Sequence, residues 1–324
     1  MKFKDTIISQ MNQWGKERVP FLFIIDFEGS NPVVIPLEKV NPDKILFKFR
    51  NCTNINTDVL KEKKCKYKIK PIDFNQYKNQ FTQVQKEISL GNTYLLNLTV
   101  ETPIEINKSL KDIFFLSHAP YKLWLSNRFV CFSPEIFIKI EDTKIYSYPM
   151  KGTIDGSLEN AKEILLSDEK EKAEHYTIVD LIRNDLNSVA KNIQVDKFRY
   201  IDTIKTSEGI LLQASSQISG DLSQNWNEYI GNILSTLLPA GSISGAPKER
   251  TVEIIKKVEN HTRDYYTGVM GIFNGYSLDS AVMIRFIEEK GEKYFYKSGG
   301  GITYSSDVKK EYNELIQKIY VPVI

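Results

Sequence analysis

Cysteine is scarce: three in 324 residues, Cys52, Cys65 and Cys131, far apart and odd in number. That excludes a disulfide framework, and no C-x-x-C spacing offers a zinc site. A surplus of either charge is missing too. The 43 lysines and arginines face 41 acids, a net charge of +2, which gives no reason to expect a nucleic-acid or membrane partner. No run of about eighteen apolar residues could span a bilayer. The opening M-K-F-K-D-T-I-I-S-Q lacks an apolar signal core and a small-residue cleavage site, so a cytoplasmic location is expected. Linkers, repeats and low-complexity segments are absent, and one domain over residues 1–324 is expected. The lysine-rich stretch at 60–70 reads as a solvated loop.

What is present is a soluble composition, 41% apolar and 26% charged, with strand and helix patterns interleaved. Strand-like runs fall at 21–27, 44–50, 94–100, 121–126, 128–133, 135–142, 209–220, 268–277, 280–289 and 293–301. Many alternate with period two and are joined by short turns, which implies antiparallel hairpins. Helical spacing appears in four places. Phe74, Tyr77, Phe81, Val84 and Ile88 share a face, with Gly91 as a C-terminal stop. Ile178, Leu181, Ile182, Leu186 and Val189 form a second stripe, and Val308, Tyr312, Leu315 and Ile319 form a third. Between these, Pro247 suits a first helical turn. No βαβ alternation appears, so the expected class is α+β.

Three kinds of residue could carry chemistry. Glu171 and Glu174, then Glu311 and Glu314, are spaced three apart on two helices, which puts each pair on one face. Four converging carboxylates would suit a hard cation such as Mg²⁺, although a lone pair is an ordinary solvated face. Gly241, Ser242, Ser244 and Gly245 precede a helix N-terminus, where backbone N–H groups attract anions, but the spacing is not that of a Walker A loop. Gly299, Gly300 and Gly301 form a second turn, which by itself reads as a flexible loop. Arg285 interrupts an apolar strand, so it needs an anion: an internal carboxylate or a bound one. Lys151, in S-Y-P-M-K-G-T, taken alone is a surface charge in a tight turn.

In order, S-P-E-I-F (133–137), P-M-K-G-T (149–153), and the stretches 168–186, 238–255, 263–273, 281–286 and 299–314 resemble the signature blocks of the chorismate-utilising enzymes. The resemblance covers residues 71–324; residues 1–70 look like a shortened N-terminal part of the same domain. It implies a four-layer α/β/β/α sandwich around two antiparallel sheets, and Mg²⁺ holding the ring carboxylate of chorismate. Glu174 and Glu314 would then be metal ligands, with Glu311 beside them and Glu171 nearby as a catalytic group. Arg285 and Tyr266 would meet the enolpyruvyl carboxylate, closed over by Gly299, Gly300 and Gly301. Thr153, Ser242 and Gly245 would line the pocket.

Within the family, a lysine in P-[IM]-K-G-T is similar to the branch that aminates chorismate at C4 to 4-amino-4-deoxychorismate, for 4-aminobenzoate and folate. There the lysine amine adds at C2, and ammonia from a glutamine amidotransferase subunit then displaces it. The amine must be neutral, a state that desolvation and nearby cations favour. Leu95 stands where isochorismate-forming members carry a base lysine, and Asn97 resembles the aminating type. Gln213 replaces the histidine associated with pyruvate elimination. The alternatives are an anthranilate synthase component with an unusual lysine, and a non-enzymatic binding relative.

Overall fold

The computed structural model describes residues 4–50, 52–55, 65–206 and 209–322. Two nine-stranded sheets, every pairing antiparallel, form its centre. The first runs from Met150–Asp155 through Gly209–Asp221, Lys144–Ser147, Ile136–Glu141, Leu278–Val282, Val269–Phe273 and Phe21–Ile25 to Val33–Pro36, with Lys191–Thr206 also on Gly209–Asp221. The second runs from Gly245–Ala246 through Leu95–Ile106, Lys293–Ile302, Phe286–Lys290, Phe129–Ser133, Tyr121–Leu125 and Ile45–Phe49 to Cys52–Thr53, with Tyr67–Ile69 on Leu95–Ile106.

Side-chain alternation shows how the layers stack. In Phe21–Ile25 every residue is buried. Leu22 and Ile24 face a core shared with Phe47, Tyr121, Phe129 and Phe286 of the other sheet. Phe21, Phe23 and Ile25 face the opposite way, onto Ile230, Ile233, Leu234 and Leu237 of a helix. Phe129–Ser133 repeats the pattern: Phe129 and Cys131 turn to the inter-sheet core. Val130 and Phe132 turn outward to Leu110, Ile113 and Phe114 of the helix Leu110–Leu116. Helices therefore cover the outer face of each sheet, and the fold is the expected α+β sandwich of two antiparallel sheets. A strand buried on both faces reads as a continuous apolar run, which is why F-L-F-I-I carries no polar alternation.

Several expectations change in detail. The apolar stretch 280–289 is not one strand. Leu278–Val282 belongs to the first sheet and Phe286–Lys290 to the second, and Met283–Arg285 carry the chain between them. Arg285 takes φ +53° at that crossing, a conformation few non-glycine residues adopt. Gly299, Gly300 and Gly301 end the expected strand run 293–301 and pair with Thr99, Leu98 and Asn97, so the triplet is not the loop it reads as by itself. Lys151 lies in the strand Met150–Asp155 rather than a turn. Pro247 sits one residue before the helix Lys248–Val258. Of the lysine-rich stretch, Tyr67–Ile69 is a strand, and residues 60–64 lie outside the described residues.

One buried ion pair holds the sheets to the covering loops. Arg263 donates from Nε and Nη2 to Glu259 at 2.9 and 2.7 Å, from Nη1 to the Ile243 carbonyl at 2.9 Å, and from Nη2 to that of Asn97 at 2.6 Å. Both side chains are almost fully buried. Arg263→Met strands the Glu259 carboxylate, so unfolding in urea should show a loss of about 3–5 kcal/mol. A loss under about 1 kcal/mol would mean water reaches Glu259 and the pair is not a structural anchor.

Candidate active site

A cavity of about 600 Å³ opens between the sheet ends. Its wall includes Lys151, Thr153, Glu171, Glu174, Ser242, Tyr266, Arg285, Gly299, Gly300, Gly301 and Glu314. The structure thus brings together in one hollow eleven of the thirteen residues to which the resemblance gives a role in the site. Two are not on that wall. Glu311 is buried next to it, accepting from Ser306 Oγ at 2.9 Å. Gly245 packs behind: at φ +132°, a Cβ on it would stand 1.9 Å from the Leu95 carbonyl, so it sets a close strand contact.

Lys151 enters the cavity through a local irregularity. Met150 pairs with Ser215 and Thr153 with Gln213, leaving an extra residue between the pairs. Such a bulge re-aims a side chain. Gly152 supplies the φ of +89° that it needs, and a Cβ there would lie 3.2 Å from Glu171 Oε2. Lys151 Nζ ends 2.7 Å from Glu174 Oε2. Burial alone would lower the Lys151 pKa, but Glu174, Glu171 and Glu314 outweigh it and hold the amine above the ordinary lysine value. The neutral amine that the resemblance requires is therefore not the state these carboxylates favour.

The carboxylates line two sides. The helix Glu169–Asn187, capped by Asp168, presents Glu171 and Glu174, and the helix Val308–Gln317, capped by Asp307, presents Glu314. Glu314 Oε1 lies 2.8 Å from Lys318 Nζ. Among the described residues no three histidine, cysteine, aspartate or glutamate side chains are gathered closely enough to hold a metal ion. The donors are nonetheless all carboxylate oxygens. One of them, Glu171 Oε2, is buried with no hydrogen-bond partner, and its carboxyl is raised by burial against the pull of Lys151. This donor chemistry fits a hard divalent cation.

At the far end, Arg285 Nε donates to Tyr320 Oη at 3.2 Å, with its guanidinium 5.0 Å from the Tyr320 ring centre. Among the described residues it makes no ion-pair contact within 4 Å, although the buried Glu135 carboxyl is near enough to feel its charge. Tyr266 is buried beside it, its ring 5.8 Å from that of Phe286. Ser242 joins two walls: Asn97 Nδ2 donates to its carbonyl at 2.9 Å, and its Oγ donates to Glu135 Oε1 at 2.7 Å. Leu95 also lines the cavity, and Gln213 Nε2 lies 3.4 Å from Thr153 Oγ1.

Three residues on or behind the wall were not singled out from sequence. Glu135 lines the cavity, with its pKa raised by burial and opposed by Ser242, Arg285 and Lys318. Its signal was available: a glutamate in S-P-E-I-F, at the entrance to an apolar strand. Lys318 lines the cavity one turn after Glu314 and donates to the Gly299 carbonyl at 3.0 Å. His175 is fully buried, its Nε2 2.7 Å from Ser216 Oγ, and burial drives its pKa down to about 4. That makes it a neutral packing group rather than a cavity base.

Known proteins share both sequence and fold. A family described as chorismate binding enzyme matches residues 47–323. An "Uncharacterized PabA-like protein" of Haemophilus influenzae is 54% identical over 319 residues, 98% of this chain and 96% of that protein. The aminodeoxychorismate synthase component 1 of Bacillus subtilis is 29% identical over 77% of this chain and 55% of that protein. The anthranilate synthase component 1 of Aquifex aeolicus is 30% identical over 76% and 53%. The chain thus spans about half the length of these two component 1 relatives. The structure of MenF, the menaquinone-specific isochorismate synthase of Escherichia coli, has the same fold at TM-score 0.74 and 15% identity, covering 97% of this chain and 80% of that one.

Proposed function

The chain belongs to the chorismate-binding enzyme family, and from that premise we propose that it is an aminodeoxychorismate synthase component I, aminating chorismate at C4. The observation that carries the reading is Lys151, whose bulged strand sends its amine into the carboxylate-lined cavity, 2.7 Å from Glu174. A lysine directed inward at a glycine bulge is an expensive arrangement for a surface charge and a natural one for a nucleophile.

Arg285 and Tyr266, at the far end, receive the side-chain carboxylate of the substrate, and the strand Gly299–Gly301 lies along it without side chains to obstruct. Magnesium, held by Glu174 and Glu314 with Glu171 beside them, would supply positive charge for the ring carboxylate. Released from Glu174, Lys151 first gives its ammonium proton to water; the neutral Nζ then attacks C2, the ring double bond shifts, and the C4–O bond breaks. Glu135 donates the proton with which the hydroxyl leaves as water, and it recovers a proton from the newly bonded Lys151 nitrogen. Ammonia then attacks C4, the double bond shifts back, and the C2–N bond breaks. The surplus proton of the incoming nitrogen restores the Lys151 amine. The balance is chorismate plus ammonia to 4-amino-4-deoxychorismate plus water. The ammonia would come from a glutamine amidotransferase subunit, as the likeness to the aminating branch of the family implies. A cytoplasmic biosynthetic role goes with this reading.

The test is product identity. Purified chain with chorismate, Mg²⁺ and ammonium should yield a compound that becomes 4-aminobenzoate only when a lyase is added. Fluorescent anthranilate would replace this reading with the anthranilate synthase one. No product with saturating ammonium would favour a binding relative.

A further inference from the structure

Both glutamates assigned to the metal are ion-paired with a lysine on the same cavity wall. Glu174 Oε2 takes Lys151 Nζ at 2.7 Å, and Glu314 Oε1 takes Lys318 Nζ at 2.8 Å. Meanwhile the neighbouring Glu171 Oε2 is buried and unserved by either amine. The cavity thus holds two ammonium groups in the places where a divalent cation would need carboxylate oxygens. Mg²⁺ requires those oxygens at about 2.0–2.1 Å in a near-octahedral set. Such a contact and a short ammonium hydrogen bond compete for the same carboxylate charge.

We propose that Lys151 and Lys318 are exchangeable counter-ions, each an alternative to the divalent cation as partner for its glutamate. The proposal rests on the magnesium reading above and extends it: cation binding and release of the nucleophile from Glu174 become one event. Lys151 pairs with Glu174 only while the cation is elsewhere. Once displaced, its amine remains on the bulged strand, inside the cavity and next to Thr153, where the substrate ring would lie. The two lysines should not contribute equally. The Lys151 and Glu174 side chains are 26% and 11% exposed, whereas those of Lys318 and Glu314 are 29% and 49% exposed. Solvent already compensates the second glutamate more fully, so its lysine is the weaker competitor.

Titration calorimetry of the full chain with Mg²⁺ alone, at fixed ionic strength, tests this without turnover. Lys151→Met and Lys151→Gln should bind Mg²⁺ about tenfold more tightly than the unaltered chain, and Lys318→Met about threefold. Lys151→Arg, which keeps a cation able to pair with Glu174, should stay near the unaltered affinity. Lys172→Met removes a half-buried lysine on the helix that carries Glu174, ion-paired with Glu169, and should change affinity less than about twofold. Equal or weaker binding by both Lys151→Met and Lys151→Gln would overturn the exchange, as would an equal gain from Lys172→Met. Glu174→Gln should weaken binding strongly. If neither the unaltered chain nor any variant binds Mg²⁺, the magnesium reading itself fails, and the exchange with it.

Discussion

Lys151→Ala is expected to abolish C4 amination, lowering kcat/KM by at least about 10³-fold, which is about 4 kcal/mol of transition-state stabilisation. The expectation follows from geometry: the bulge at Gly152 aims the amine into the cavity, and no second lysine enters from that strand. Lys318, across the hollow, is tied to Glu314 and to the Gly299 carbonyl, so it should not substitute. The loss should reach the chemical step without collapsing the fold. The Lys151 side chain is a quarter exposed, and removing it should cost about 1 kcal/mol of stability or less. Lys151→Arg keeps the charge but not a usable nucleophile and should be as inactive as the alanine variant. Intact-protein mass spectrometry of unaltered chain with chorismate and Mg²⁺, but no ammonia, should show a chorismate-derived adduct on Lys151. Turnover retained within tenfold in Lys151→Ala, or robust turnover with no adduct at any time point, would remove covalent catalysis from the reading.

The blocks that carry chemistry were legible because each is local: a helix with carboxylates three apart, a glycine strand, a lysine beside a glycine. The sheets were legible where strands are buried, as in Phe21–Ile25 and Phe129–Ser133, since an apolar run is written into the sequence. The long strand Lys191–Thr206 was missed for the converse reason. It lies along an edge of the first sheet, and much of its side-chain surface faces water, so K-N-I-Q-V-D-K-F-R-Y shows little apolar pattern. The break at Arg285 was missed because nothing local demands φ +53°; the demand comes from passing between two sheets. Electrostatics was the least legible. No local pattern says which group Lys151 pairs with, because its neighbour Glu174 is contributed by a helix some twenty residues later in the chain. Lys318 and Glu135 were overlooked because only tertiary convergence turns an ordinary helix lysine and a pre-strand glutamate into cavity residues.

That convergence makes Glu135 the second residue whose loss should matter most. A hydroxyl is a poor leaving group unless it is protonated as the C–O bond breaks, and a positioned acid contributes about 10²–10⁴-fold to such a step. Glu135 lines the same cavity as Lys151, and burial raises its pKa above the ordinary carboxylate value while Ser242 holds one oxygen at 2.7 Å. A raised pKa keeps the acid form populated to higher pH, which is the direction a proton donor requires. Glu135→Gln keeps the size and can still accept from Ser242 but cannot donate an acidic proton. It should lower kcat about 10²–10⁴-fold while leaving KM for chorismate within a few-fold. The pH profile separates this role from packing. In the unaltered chain the rate should fall as pH rises through the Glu135 pKa and the donor is lost; in Glu135→Gln the residual rate should lack that limb. Glu135→Asp should regain part of the rate and keep the limb, displaced by the shorter reach. If Glu135→Gln instead preserves kcat and raises KM, the carboxyl orients Ser242 and Arg285 around the substrate, and the departing hydroxyl takes its proton from another group.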